Sequence, residues 1–227
     1  MEHLRTPVTT ILFDMDNTLF DLVGAQIASC HRVARFLGRE DGDDLYQYFL
    51  RPLHGYEAHE NIHDYMQDRR IALNGTYARA RHIYEEEKLR HIIPYLGVPE
   101  TLGLIRHQGL PMAIVTDAHS RDATIRLEKS GLLSFFTCIV SYDMSGAKKP
   151  AQEPFLTALE MLRANPAETL LIGDSPRRDI EPCRELGIRT VYARYGDRFA
   201  DDRSLVEADF TIDAMEELPP ILFSLLG

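Results

Sequence analysis

Five short apolar runs punctuate the chain: TTILF (9–13), PMAIVT (111–116), TCIVS (137–141), TLLIG (169–173) and RTVYA (189–193). Each is a few residues long, rich in branched aliphatic side chains and bounded by polar or turn-forming positions. That is the pattern of a strand buried on both faces. Between them, apolar positions recur at helical spacing. ETLGLIRHQG (100–109), RDATIRLEKSG (121–131), EPFLTALEMLRAN (153–165) and DIEPCRELG (179–187) are predicted helices. Three of these stop at a glycine, and the third carries Pro154 in its first turn, where an N–H has no intrahelical partner to lose. Strand and helix in alternation, joined by short connections, predict an α/β fold. Its core is a doubly wound, Rossmann-like parallel sheet with helices on both faces.

From about Leu22 to His91 the alternation stops and only helical periodicity remains. LVGAQIASCHRVARFLG, DDLYQYFL, EAHENIHDYMQDRRIAL and TYARARHIYEEEKLR predict four successive helices. The expected organisation is therefore an α/β core formed by 1–20 and 92–227, interrupted by an all-helical cap over 21–91. Tyr46, Tyr48, Phe49, Tyr56, Tyr65, Tyr77 and Tyr84 make this insertion aromatic, and most are expected to pack between its helices. The EEEK run at 85–88 is expected to be a solvated helix end.

The 227 residues suffice for a substantial core, and 44% hydrophobic with 26% charged residues is ordinary globular composition. The formal charge of −10 argues against a nucleic-acid partner, while small anions stay accessible through local cations or a metal. Cys30, Cys138 and Cys183 are few, odd in number and far apart, which fits reduced thiols better than a disulfide scaffold. With no signal-like apolar core and no run of membrane-spanning length, the expected location is cytoplasmic, away from membranes. No oligomeric state is read from the pattern.

Chemistry enters where the predicted strands end. Ligands of open parallel sheets bind beyond the carboxyl ends of the strands. After the first run stand Asp14, Asp16 and Thr18; after the second, Thr116 and Asp117; after the third, Lys148, Lys149 and Pro150; after the fourth, Asp174, Ser175 and Asp179. If these strands are parallel, Asp14, Asp16, Asp174 and Asp179 converge, and a cation must neutralise them. An all-oxygen donor set selects a hard ion such as Mg²⁺. A lysine and a hydroxyl beside such an ion suit a phosphate group. A carboxylate can serve as nucleophile, and a second as acid and base.

D-x-D-x-T alone is expected by chance about 0.05 times in a chain of this size. Individually, each element has a plainer explanation: a solvated turn after a strand, a strand-end hydroxyl, a surface KKP loop, a helix N-cap at Asp174 or Asp179. Arg177 and Arg178 are expected to be solvated surface. What the plain explanations miss is that each element follows a different predicted strand.

The set Asp14-Met15-Asp16-Asn17-Thr18, Thr116, Lys149-Pro150 and Gly173-Asp174-Ser175 through Asp179 resembles the four ordered motifs of the haloacid dehalogenase superfamily of hydrolases. The helical insertion after the first motif resembles that superfamily's small cap. The resemblance implies Asp14 as nucleophile and metal ligand, and Asp16 as acid–base with its backbone carbonyl on the metal. It implies Met15, Thr116, Asp117 and Lys149 at the phosphoryl group, with Lys149 also restraining Asp14. Asp174 would bind the metal, and Asp179 would bind it, or its water, or orient Lys149. Related dehalogenases lack an acid at the Asp16 position, so Asp16 favours phosphate chemistry. Ala118 departs from a frequent glycine, which raises the question of a positive φ there.

The resulting expectation is Mg²⁺-dependent hydrolysis of a small phosphomonoester through an aspartyl-phosphate, the cap closing over the site. Phosphoglycolate, a triose or sugar phosphate and a nucleoside monophosphate are all compatible substrates. A phosphomutase similar to β-phosphoglucomutase is the main alternative, and a non-enzymatic binding protein on the same fold is a second. His59-Glu60-x-x-His63 also fits H-E-x-x-H, a zinc metallopeptidase pattern with Glu85, Glu86 or Glu87 as a third ligand. The segment lacks a G-x-x-H continuation and leaves the acidic set unexplained, so a helix face or a substrate-contacting histidine is the simpler account.

Overall fold

The computed structural model describes residues 6–198 and 207–226. Strands β1 (Thr10–Phe13), β2 (Met112–Val115), β3 (Cys138–Val140), β4 (Thr169–Gly173), β5 (Arg189–Ala193) and β6 (Phe210–Ile212) form a sheet of order β3-β2-β1-β4-β5-β6. Every neighbouring pair is parallel. The α-helices among the described residues are α1 (Leu22–Phe36), α2 (Gly42–Phe49), α3 (Glu60–Asp68), α4 (Asn74–Arg90), α5 (Val98–His107), α6 (Ser120–Lys129), α7 (Tyr142–Ser145), α8 (Glu153–Leu162), α9 (Glu181–Glu185) and α10 (Leu218–Phe223). By its contacts the chain divides into two compact units, 1–20 with 94–227 and 21–93.

In the sheet unit, the order puts β1 at the centre, between β2 and β4. Its residues Thr10–Phe13 are buried, as a strand with neighbours on both edges and cover on both faces must be. Register sorts the side chains by parity. Leu12 pairs with Ala113 and with Leu171, and these join Phe155, Ala158 and Leu159 of α8 and Cys183 of α9 in one apolar layer. Ile11 and Phe13 point to the other face, where Phe13 meets Phe136 edge-to-face at 6.1 Å. The third apolar run forms an edge strand, and β6 closes the opposite edge, pairing with β5 alone. The sequence pattern did not announce β6, because FTI is three residues long and set among acids.

Two helices end earlier than their apolar spacing implies. The stretch expected over 57–73 holds helix only through Asp68. There Arg70 adopts φ 56°, and Ile71 N reaches back to Met66 O at 2.8 Å. α8 stops at Leu162 in the same way: Arg163 takes φ 52° and Ala164 N bonds Leu159 O at 2.9 Å. In both, an arginine occupies the left-handed stop position usually held by glycine. The helix expected over 179–187 is preceded by a π-turn at Pro176–Ile180 and itself covers only Glu181–Glu185.

The helical unit has its own core, built from Val23, Cys30, Val33, Leu45, Phe49, Ile62, Tyr65, Met66, Ile83 and Tyr84 among others. Phe49 and Tyr84 stack at 5.0 Å between ring centroids. The EEEK run is not merely a solvated end. Lys88 is buried, and its Nζ lies 3.1 Å from Glu57 Oε2 and 3.0 Å from Glu85 Oε1. Burial of a lysine requires such pairing. Among the described residues, no helix is long and apolar enough to cross a membrane.

Candidate active site

β1 delivers the first motif. Asp14 N still bonds Ile172 O of β4 at 2.9 Å, so the ladder holds the backbone of Asp14 itself. The chain then turns sharply: Asn17 has φ 65°, its N–H bonds Phe20 O at 2.8 Å, and Leu19 N bonds Met15 O at 2.9 Å. Asparagine tolerates the left-handed conformation better than most residues. The turn returns Thr18 under Asp14, where Thr18 Oγ1 donates to Asp14 Oδ2 at 2.9 Å. Tyr195 Oη donates to Thr18 O at 2.7 Å and fastens the turn to the chain after β5. Gly196 lies so close beneath that a Cβ there would land on the Asn17 carbonyl oxygen. Met15 is fully buried, so its side chain packs in the core and not toward a ligand.

β2 is followed by Thr116, whose N–H bonds Val140 O of β3 at 2.9 Å and whose Oγ1 accepts Ala118 N at 3.1 Å. Ala118 is absent from the positive-φ residues, so alanine meets no strain where glycine is frequent. Asp117 is occupied at both oxygens: Oδ1 accepts Lys149 N at 2.8 Å and Oδ2 accepts Arg178 Nη1 at 3.3 Å.

Lys149 is the hub. Its Nζ donates to Asp14 Oδ1 at 2.5 Å, Asp179 Oδ1 at 2.7 Å and Val115 O at 3.2 Å, three acceptors for three protons. Asp179 is held from behind, since Ser175 N donates to its Oδ2 at 3.0 Å. The carboxylate thus orients Lys149 while closing the turn after β4. Gly173 makes room for it: a Cβ there would lie 2.6 Å from Asp179 Cβ. Asp14, Asp174 and Asp179 are all buried, with one carboxylate oxygen from each within 4.8 Å of the others.

Charge balance singles out Asp174. Burial pushes the Asp14 carboxyl up, but Lys149 and then Arg178 outweigh it, and the net displacement is downward. Lys149 is correspondingly raised: burial disfavours its charge, and Asp14 and Asp179 more than restore it. Asp174 is compensated less, by the opposing charge of Arg178 alone. Burial, then the charges of Asp14 and Asp179, hold its carboxyl well above the ordinary range, and its Oδ1 is buried without a hydrogen bond. Three acids, an all-oxygen donor set and an orphaned oxygen are what a hard divalent cation would satisfy.

Asp16 does not join this group of three. Its side chain turns to α6, where Arg126 Nη1 donates to Oδ1 at 2.9 Å and to Oδ2 at 2.8 Å. Arg126 escaped the sequence reading. The available signal was its place beside Ala123 and Leu127 on the buried stripe of α6, since a charge on an apolar stripe requires a partner. Arg177 is exposed, as expected, while Arg178 is only partly so: it bonds Asp117, and although burial disfavours its charge, Asp179, Asp14 and Asp174 more than restore it. The H-E-x-x-H segment brings no metal set together among the described residues. His59 lies just before α3 and bonds Glu85 Oε1 at 2.8 Å, while His63 packs against Tyr77 at 5.5 Å.

A model of the haloacid dehalogenase-like hydrolases matches residues 11–193. The chain is 27% identical over 221 residues to a phosphoglycolate phosphatase of Pseudomonas putida, covering 92% of this chain and 78% of that one. It is 29% identical over 228 residues to the pyrophosphatase PpaX of Bacillus mycoides, covering 97% and 99%. The magnesium-bound structure of YfnB from Bacillus subtilis superposes with a TM-score of 0.72 at 20% identity, covering 96% of this chain and 100% of that one, a likeness of fold. The chain belongs to the haloacid dehalogenase-like hydrolases.

Proposed function

We propose that this haloacid dehalogenase-like hydrolase is a Mg²⁺-dependent phosphatase of small phosphomonoesters that works through an aspartyl-phosphate on Asp14. The observation that carries the proposal is Asp14 itself. It is a buried carboxylate at the end of the central strand, fixed by Lys149 on one oxygen and Thr18 on the other. Asp14 and Asp174 would hold the cation, with the Asp16 carbonyl and Asp179 alongside, and the ion when bound supplies positive charge to this cluster and to the phosphoryl oxygens.

The protein's own groups divide the remaining work. Asp14 attacks phosphorus, a bond forms from its carboxylate oxygen, and the bond from phosphorus to the leaving oxygen breaks. Asp16 gives its proton to that oxygen. Water then attacks the aspartyl-phosphate, Asp16 takes its proton, and the bond from phosphorus to Asp14 breaks, which regenerates the carboxylate. Lys149 and Thr116 hold the phosphoryl oxygens, Lys149 remaining tied to Asp179 throughout.

Asp14→Asn is the test. It should abolish hydrolysis of p-nitrophenyl phosphate by at least about a thousandfold while the circular dichroism spectrum is unchanged. Retained activity refutes the assignment. A Mg²⁺-supplemented panel containing phosphoglycolate and pyrophosphate, the compounds named for the Pseudomonas and Bacillus relatives, ranks substrates by kcat/KM. Phosphate passing to a second sugar hydroxyl instead of water would point to the mutase alternative.

A further inference from the structure

We infer that Arg126 is a positioning residue for the acid–base carboxylate of Asp16, an inference that rests on the phosphatase reading above. Arg126 is almost fully buried, with a side chain 2% exposed, on a helix face otherwise occupied by Ala123 and Leu127. Packing alone does not require a guanidinium there; an aliphatic side chain would fill that stripe without a charge to satisfy. The charge is answered by Asp16, 110 positions earlier in the chain, through one nitrogen that spans both carboxylate oxygens.

This contact solves a geometric problem posed by the first motif. Asp16 follows the strand, and the next residue, Asn17, is left-handed, so the β4 ladder that fixes the backbone of Asp14 gives way at Asp16 to a single bridge with Phe20, which leaves the side chain to be placed by other contacts. A general acid must sit within roughly 2.6–3.2 Å of the oxygen it protonates. One nitrogen shared by both oxygens fixes the direction in which the carboxylate points, and each oxygen retains a second lone-pair direction for the proton. The guanidinium also faces the charge left on Asp16 once its proton has moved to the leaving oxygen.

The arrangement keeps two neighbouring acids from exchanging roles. Asp14 is held by Lys149 and Thr18, from the third motif and its own turn. Asp16 is held by α6. Two cations on two different elements thus hold the carboxylates apart, each aligned for its own step.

The test compares leaving groups. Nitrophenolate leaves with little help from an acid, whereas the alkoxide of glycerol phosphate requires protonation. Arg126→Met should lower kcat on glycerol phosphate by roughly a hundredfold but on p-nitrophenyl phosphate by less than about tenfold, with KM within about threefold for both. Arg126→Lys should recover most of the loss. In an Asp16→Asn background, Arg126→Met should lower kcat no further. Equal losses on the two esters, or additive losses in that background, would overturn the inference. If Arg126→Met does not fold, the same ratio is read from Arg126→Gln. If Asp14→Asn proves active, the assignment of Asp14 as nucleophile falls, and a crystal structure of an Arg126 variant decides the positioning separately: Asp16 unmoved and ordered would overturn it.

Discussion

Asp174→Asn should make the metal-free protein more stable while destroying its activity. The carboxylate is buried, its Oδ1 lacks a hydrogen bond, and two further buried carboxylates offer oxygens within 4.8 Å. At an effective dielectric of about 20, two like charges 4.8 Å apart repel by about 3.5 kcal/mol. Arg178 offsets part of this, and the asparagine amide introduces its own desolvation, so a net gain of about 1–3 kcal/mol is expected. The assay is urea denaturation in EDTA at pH 7.5, analysed at constant m-value.

The pH dependence carries the same sign. Asp174 has its folded pKa raised by burial and then by Asp14 and Asp179, so the folded state binds the proton more tightly than the unfolded state. Its stabilising contribution is therefore fully present below the ordinary carboxylate range and is lost as pH rises through the elevated folded value. Metal-free wild type should lose stability over that rise, and Asp174→Asn should lose less. Mg²⁺ should restore wild type, by about 2.7 kcal/mol at a hundred times its Kd, and leave the variant nearly unchanged. A metal-free variant no more stable than wild type, or equal stabilisation of both by Mg²⁺, would refute the charge argument.

Further outcomes follow from the same geometry. Asp14→Asn should be inactive on p-nitrophenyl phosphate with its fold intact, and Arg126→Met should separate alkyl from nitrophenyl esters in kcat. Gly196→Ala forces a Cβ onto the Asn17 carbonyl oxygen, so it should cost about 1–3 kcal/mol in chemical denaturation and lower kcat through the displaced turn. In the helical unit, Glu85 is brought down to about 2 from an ordinary 4.5: burial opposes its charge, but the His59 hydrogen bond and Lys88 prevail. Its contribution is present above pH 4.5 and lost as pH falls toward 2. With the side chain 38% exposed, solvent screening holds the loss in Glu85→Gln near roughly 1 kcal/mol, measurable as a smaller stability difference from wild type at acid pH.

The central sheet was legible because its strands are buried on both faces. Such strands must be uninterrupted apolar runs, and Ile11-Leu12-Phe13 or Leu170-Leu171-Ile172 have no competing reading. β6 carries no such constraint at the sheet edge, and its three residues fall below what periodicity can detect. The convergence of Asp14, Lys149, Asp174 and Asp179 followed from parallel strands plus the rule that ligands gather at their carboxyl ends. Arg126 and Arg178 lay beyond that rule. Their partners come from other elements, and which face of α6 turns toward the first loop is set by packing across β2, not by local pattern. Helix ends failed for a related reason, since nothing in the composition of Arg70 or Arg163 marks a residue that will go left-handed.

Phe20 and Pro94 meet in an antiparallel bridge, and Tyr95 N bonds Leu19 O at 2.9 Å beside it. Residues 21–93 thus leave and rejoin the sheet unit through a doorway about one strand spacing, roughly 5 Å, across. Because the doorway is fastened by the sheet unit's own backbone, its closure depends weakly on what hangs beyond it; doubling the length of an excursion adds only about 0.6 kcal/mol of closure entropy. The excursion behaves as a cassette. Its content can be lengthened, shortened or exchanged without rerouting any sheet connection, so a change of sequence there leaves the strand ends and their carboxylates in place.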